Sequence, residues 1–200
     1  MIRITRLLVA ALALLIFASA CGAGAETTLA GYERNPEPAV GEFSLPAVNR
    51  DGEDFAFQAD PGELLLVYFG FASCPDICPT TLADTRLAFS ELGDRASSLD
   101  LAVATIDPER DSEEIISSYV EAFIPSGVAL RTDDQVALFE AAAAFGVFYE
   151  IATNDDGEIE VGHTPNLFVV DDAGALVLTW PFGVTTDDMV SDLTILLDRA

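Results

Sequence analysis

An α/β fold, with a central mixed β-sheet flanked by helices, is predicted by three observations. Residues 64–69 (LLLVYF) and 101–106 (LAVATI) are almost uninterrupted apolar runs of strand length, as central strands covered on both faces require. Each leads into a segment with helical spacing of its apolar residues, which makes a βαβ unit. Two further apolar runs, 167–170 and 176–180, are joined by a tight turn at 171–174 and precede a last helical segment.

Taken in chain order, residues 43–48 and 55–57 flank Asn49-Arg50-Asp51-Gly52 and read as an N-terminal hairpin around an Asp-Gly turn. After the strand at 64–69, Pro79 marks a helix start, and Leu82, Leu87, Phe89 and Leu92 carry an apolar stripe up to the stop at Gly93. The strand at 101–106 is followed by a helix over 112–123, capped by Asp111 or Ser112 and acidic in its first turn. A third helix spans about 133–145. Residues 147–151 and 158–161 form an inserted hairpin around Asn154-Asp155-Asp156-Gly157, and the last helix runs from Thr185 or Thr186 to Arg199. This order is that of a thioredoxin-like domain with an N-terminal hairpin and an inserted hairpin before the final strands.

The chain has 200 residues, half of them apolar, enough for one compact core and too few for two large ones. Residues 1–20 read as a signal peptide: Arg3 and Arg6 precede an apolar run at 7–17, then Ala18-Ser19-Ala20. Cys21 follows at once and resembles the lipid-acceptor cysteine of bacterial lipoproteins. An uncleaved anchor is the other reading, since residues 7–25 carry no charge and approach the ~20 residues of a spanning helix. Simple cleavage after Ala20, lipidation at Cys21 and an uncleaved anchor all place the domain outside the cytoplasm, and lipidation, the favoured reading, anchors it to the outer face of the cytoplasmic membrane. Residues 21–39 are small, polar and Pro-containing, as a flexible tether would be, and 40–200 form the domain.

With 34 acidic and 9 basic residues, all of the latter Arg, the formal net charge is -25. Such a surface suits a solvated, salt-screened shell and argues against nucleic acid as a partner.

Cys74 and Cys78, in Phe69-Gly70-Phe71-Ala72-Ser73-Cys74-Pro75-Asp76-Ile77-Cys78-Pro79, lie between a buried strand and a helix start. The helix dipole and free N–H groups there favour a thiolate, which is both a nucleophile and a metal ligand. A purely structural bridge across so short a loop constrains little chain entropy. Three residues separate the cysteines, unlike the C-x-x-C of ordinary thiol-disulfide exchange, and two converging thiolates suit Cu(I) or Zn.

His163 is the only histidine, in Val161-Gly162-His163-Thr164-Pro165-Asn166. In thioredoxin-like folds the loop entering the next strand passes beside the cysteine segment and usually carries a cis proline, the position of Pro165. One histidine cannot build a His₂Cys blue-copper centre, and Met189 lies in the last helix. A Cys-His hydrolase would leave the second cysteine without a role. A peroxidase of the peroxiredoxin kind ordinarily has Thr three residues before its reactive Cys, where this chain has Phe71.

FGFASCPDICPTTL, TIDPERD and GHTPNLFVVD together resemble, in order and spacing, three signature segments of the Sco/SenC family. The resemblance implies a thioredoxin-like, membrane-tethered copper metallochaperone for the CuA site of cytochrome c oxidase. It implies that Cys74, Cys78 and His163 bind Cu(I) and Cu(II), and that the cysteine pair is redox-active. Asp107, in the DPERD stretch, and Asp76, between the cysteines, are candidates for supporting the ligands from behind. The alternative is a thiol-disulfide oxidoreductase acting on exported or membrane-bound proteins, with Cys74 as attacking thiol.

Overall fold

The computed structural model describes residues 28–200; Cys21 and the expected signal peptide lie outside them. Among the described residues, nine strands and four α-helices follow one another as β1 (Ser44–Ala47), β2 (Glu53–Ala56), β3 (Leu64–Gly70), α1 (Ile77–Leu92), β4 (Leu99–Thr105), α2 (Glu113–Phe123), β5 (Val128–Leu130), α3 (Gln135–Phe145), β6 (Tyr149–Thr153), β7 (Ile159–His163), β8 (Leu167–Val170), β9 (Leu176–Trp180) and α4 (Thr186–Leu197). Seven strands form one mixed sheet in the order β2-β1-β5-β4-β3-β8-β9. β3, β4 and β5 are parallel, whereas β8 runs antiparallel to β3. This is the expected thioredoxin-like arrangement.

β3 sits near the middle of the sheet and all seven of its residues are buried. Alternation along it sends successive side chains to opposite faces. Phe69 joins Phe57, Phe145 of α3 and Phe168 of β8 in a cluster of tilted and edge-on rings. Tyr68 points the other way, toward α1, which packs on α4 and α2.

The helix caps follow local chemistry. Ser112 accepts from the Ile115 N–H, Asp134 from Val136 and Ala137, and Thr185 from Asp188, each satisfying N–H groups that a helix start leaves unpaired. Gly146 ends α3 at φ 75°, a left-handed conformation that glycine adopts without strain.

Several expectations shift. The α1 helix begins at Ile77, so Pro79 occupies its third position, still within the turn whose N–H groups have no helical partner. His163 is the last residue of β7, not a loop residue. Asn35–Pro36 is the cis peptide bond among the described residues, so Thr164–Pro165 is trans. β5 was not anticipated.

The described part of the expected tether, residues 28–39, is hydrogen-bonded to the domain. Tyr32 pairs with Thr179 of β9 and Ala39 with Ala175. The buried carboxylate of Asp192 accepts from the N–H groups of Ala30 and Gly31 and from Trp180 Nε1. No helix among the described residues is long and apolar enough to cross a membrane.

Candidate functional site

The chain leaves β3 at Gly70 and turns through Phe71, whose carbonyl accepts the Cys74 N–H at 3.2 Å. The loop is held by the segment that follows the neighbouring strand β4. Asp111, fully buried, takes the Ala72 N–H at 3.0 Å and the Thr105 hydroxyl at 2.6 Å on one carboxylate oxygen. Its other oxygen is buried without a partner. Burial pushes the Asp111 carboxyl above its usual range, and the two hydrogen bonds oppose that shift.

Both cysteines are free thiols, Cys74 half-buried and Cys78 fully buried. Asp76 is the N-cap of α1 but makes no side-chain cap; the Cys74 sulfur accepts the Cys78 N–H instead, at 3.3 Å. A sulfur therefore fills the place of the usual capping oxygen.

The expected lowering of a cysteine pKa by the helix start does not hold at Cys78. Burial is the largest influence and, with the contact to Cys74, pushes its thiol up to about 12, against the opposing effect of the Phe71 backbone and Tyr68. Desolvation disfavours the thiolate more than the helix dipole favours it. Tyr68 Oη lies beside this sulfur but meets no partner at full hydrogen-bond geometry.

His163 comes to the same spot from the inserted hairpin. Its Nε2 is 3.8 Å from Cys78 Sγ, and Nδ1 lies 3.1 Å from the Thr164 carbonyl. Since a carbonyl only accepts, Nδ1 carries the proton and Nε2 presents its lone pair to the sulfur. Burial lowers the imidazole pKa, which keeps the ring neutral and available as a ligand. The ring meets Tyr68 and Phe71 edge-on, with centroids 6.1 and 6.0 Å away.

Cys74, Cys78 and His163 are thus neighbours. Among the described residues no three His, Cys, Asp or Glu side chains already stand at metal-binding geometry. Asp76 is exposed. Asp107 is buried and paired with Arg110, whose guanidinium lies 5.7 Å from the Phe71 ring centroid. Sequence reasoning overlooked Tyr68, Phe71, Arg110 and Asp111 as parts of this site. The aromatic run Tyr68-Phe69-Gly70-Phe71, leading into the cysteine segment, was the available signal for the first two.

Comparison with known proteins gives a consistent result. The family model described as SCO1/SenC matches residues 32–198. A SCO2-like protein of Rickettsia prowazekii is 28% identical over 174 residues, which are 80% of this chain and 84% of that one. The human mitochondrial SCO1 homolog is 35% identical over 133 residues, covering 65% of this chain and 43% of the human protein. Among solved structures, apo Sco1 of Thermus thermophilus superposes with a TM-score of 0.73 at 35% identity, covering 86% of this chain and 99% of that one. ScoI of Bradyrhizobium japonicum with copper bound gives 0.66 at 25% identity, over 76% and 96%.

Proposed function

The chain belongs to the SCO1/SenC family, and on that footing we propose that it is a copper-binding, redox-active metallochaperone. It takes copper as cargo between Cys74, Cys78 and His163, and delivers it to the CuA site of cytochrome c oxidase or prepares the cysteines of that site. The observation that carries the reading is the approach of His163 Nε2 to Cys78 Sγ beside a second free thiol. Copper-bound relatives support it.

Two thiolates and an imidazole form a soft donor set that suits Cu(I), and the imidazole also serves Cu(II). Cys74, the more exposed sulfur, meets the ion first. Cys78 then loses its proton as the ion arrives, because burial holds that thiol neutral in the metal-free state. Handover proceeds by ligand exchange, starting from the exposed Cys74 side. Export, an N-terminal membrane anchor and lipidation at Cys21 complete the proposal and fit the family-level expectation of a membrane-anchored, exported protein.

A second reading, thiol-disulfide exchange, is favoured by one observation: a half-exposed Cys74 beside a buried Cys78 is the arrangement of an attacking and a resolving thiol. Titration of the reduced protein with copper, in the presence of zinc as competitor, tests the first reading. Uptake of Cu(I) in preference to zinc supports it. Indifference to micromolar copper, with rapid reduction of a test disulfide, replaces it with the second.

A further inference from the structure

His163 is carried by the part of the fold least able to fix it. β6 and β7 pair only with each other, and their residues are half-buried or exposed throughout. A lone two-stranded ribbon is marginal in water. The backbone bond from Thr164 N–H to the Phe148 carbonyl closes the end of the hairpin, and the hairpin holds the imidazole itself through the 3.1 Å contact of Nδ1 with the adjacent Thr164 carbonyl.

We propose that Phe71, backed by Arg110, is a positioning residue that orients the His163 imidazole toward Cys78. The proposal rests on the reading of His163 as a copper ligand. Phe71 is 5% exposed and directly follows the buried strand β3. Its ring stands at 81° to the imidazole with centroids 6.0 Å apart, the edge-to-face geometry in which ring quadrupoles attract. Tyr68 makes a similar contact at 78°, so two rings restrict the imidazole.

Phe71 is itself held in place. The Arg110 guanidinium lies 5.7 Å from its ring centroid and is paired with the buried carboxylate of Asp107. Arg110 Nη2 is buried without a hydrogen-bond partner, and the electron-rich ring offers the cation a compensating contact. A chain of contacts therefore runs from Asp107 through Arg110 and Phe71 to His163, linking the segment after β4 to the ligand on the hairpin. Orientation by such supporting groups governs how well a histidine serves a metal.

His163 is the only histidine in the sequence, so its imidazole protons give one self-assigned pair of NMR signals. In the reduced, metal-free protein these signals should be displaced by the ring currents of Phe71 and Tyr68. Phe71→Leu, which keeps apolar bulk, should move them toward the values of an unstructured histidine and broaden them, while Phe71→Tyr should restore them. With Cu(II) added, Phe71→Leu should bind about ten- to hundredfold more weakly and lose nitrogen hyperfine coupling; Phe71→Tyr should retain both. Arg110→Met is a second variant should Phe71→Leu fail to fold, because Arg110 is 31% exposed, and it should shift the same signals in the same direction. Unchanged His163 signals and nitrogen coupling in the folded variants would overturn the proposal. If the unsubstituted protein takes up no copper, the chaperone reading fails, and the metal-free spectra of Arg110→Met, which keeps both rings so that a shift reports movement of the imidazole, still decide the positioning role.

Discussion

Cys78 Sγ and His163 Nε2 are 85 positions apart in the chain and 3.8 Å apart in space. The first is fixed by a helix on the main sheet, the second by a separate ribbon. A site assembled from two such units can open by moving the ribbon alone, which fits the proposed release of copper.

Replacing His163 by Ala should lower Cu(II) affinity by at least about tenfold, since even groups behind a ligand cost that much. Reduction of a test disulfide should be largely retained, because neither thiol is removed. Competition titration and disulfide turnover on the same preparation check this. Parallel loss of both would mean that the imidazole serves thiol chemistry.

Alkaline pH should destabilise the reduced, metal-free protein. In the unfolded chain the Cys78 thiol keeps its ordinary pKa of 9.0, and in the folded protein burial pushes it up to about 12. A folded pKa raised above the unfolded one means that the native state binds more protons between these values, so its stability is intact below pH 9 and falls as pH rises toward 12. Denaturant unfolding at a series of pH values should show that decline, and Cys78→Ala should lessen it without abolishing it, because burial also raises the pKa of Tyr68 and Tyr119. In alkylation, Cys74 should react well before Cys78.

The central strands were legible in the sequence because burial on both faces leaves β3 without a single charged position. β5 was not, since Val128–Leu130 is too short to display a period. The cysteine pair and the lone histidine were legible as chemistry, but the state of Cys78 was not. The dipole of a helix start can be read from Pro79, whereas the burial that outweighs it depends on Tyr68, Leu82 and the sheet around them. The hold of Asp111 on Ala72 spans 39 positions and leaves no local pattern. Nor does the sequence of residues 28–39 reveal that their N–H groups find partners on β9 and α4.

Asp192 should matter far more than a helix-surface acid. It is 1% exposed and accepts from Trp180 Nε1 at 2.8 Å, Gly31 N at 2.9 Å and Ala30 N at 2.9 Å. Asp192→Ala strands three donors at once. Each hydrogen bond to a charged group contributes about 1.5–3 kcal/mol and these do not add fully, so a loss of about 3 kcal/mol is expected. Asp192→Asn, which keeps one acceptor oxygen, should lose less. Denaturant unfolding measures both, and limited proteolysis should find the backbone near residues 28–32 newly accessible in the Ala variant.

Two glycines near the site separate packing from position. A Cβ on Gly70 would stand 2.6 Å from Tyr68 Cε1 and 3.1 Å from Cys78 Sγ, whereas one on Gly162, next to His163, would meet nothing within 4 Å. Tyr68 and Cys78 are both fully buried, so neither can yield without displacing the core. Overpacking of this kind costs about 1–3 kcal/mol, and here the displaced atoms include a proposed ligand. Gly70→Ala should therefore lower copper affinity as well as stability, while Gly162→Ala leaves both within experimental scatter. Equal copper affinity in the two variants, with Gly70→Ala folded, would show that the Cys78 sulfur moves freely enough to absorb the clash, and that the tight floor beneath it does not set the geometry of the site.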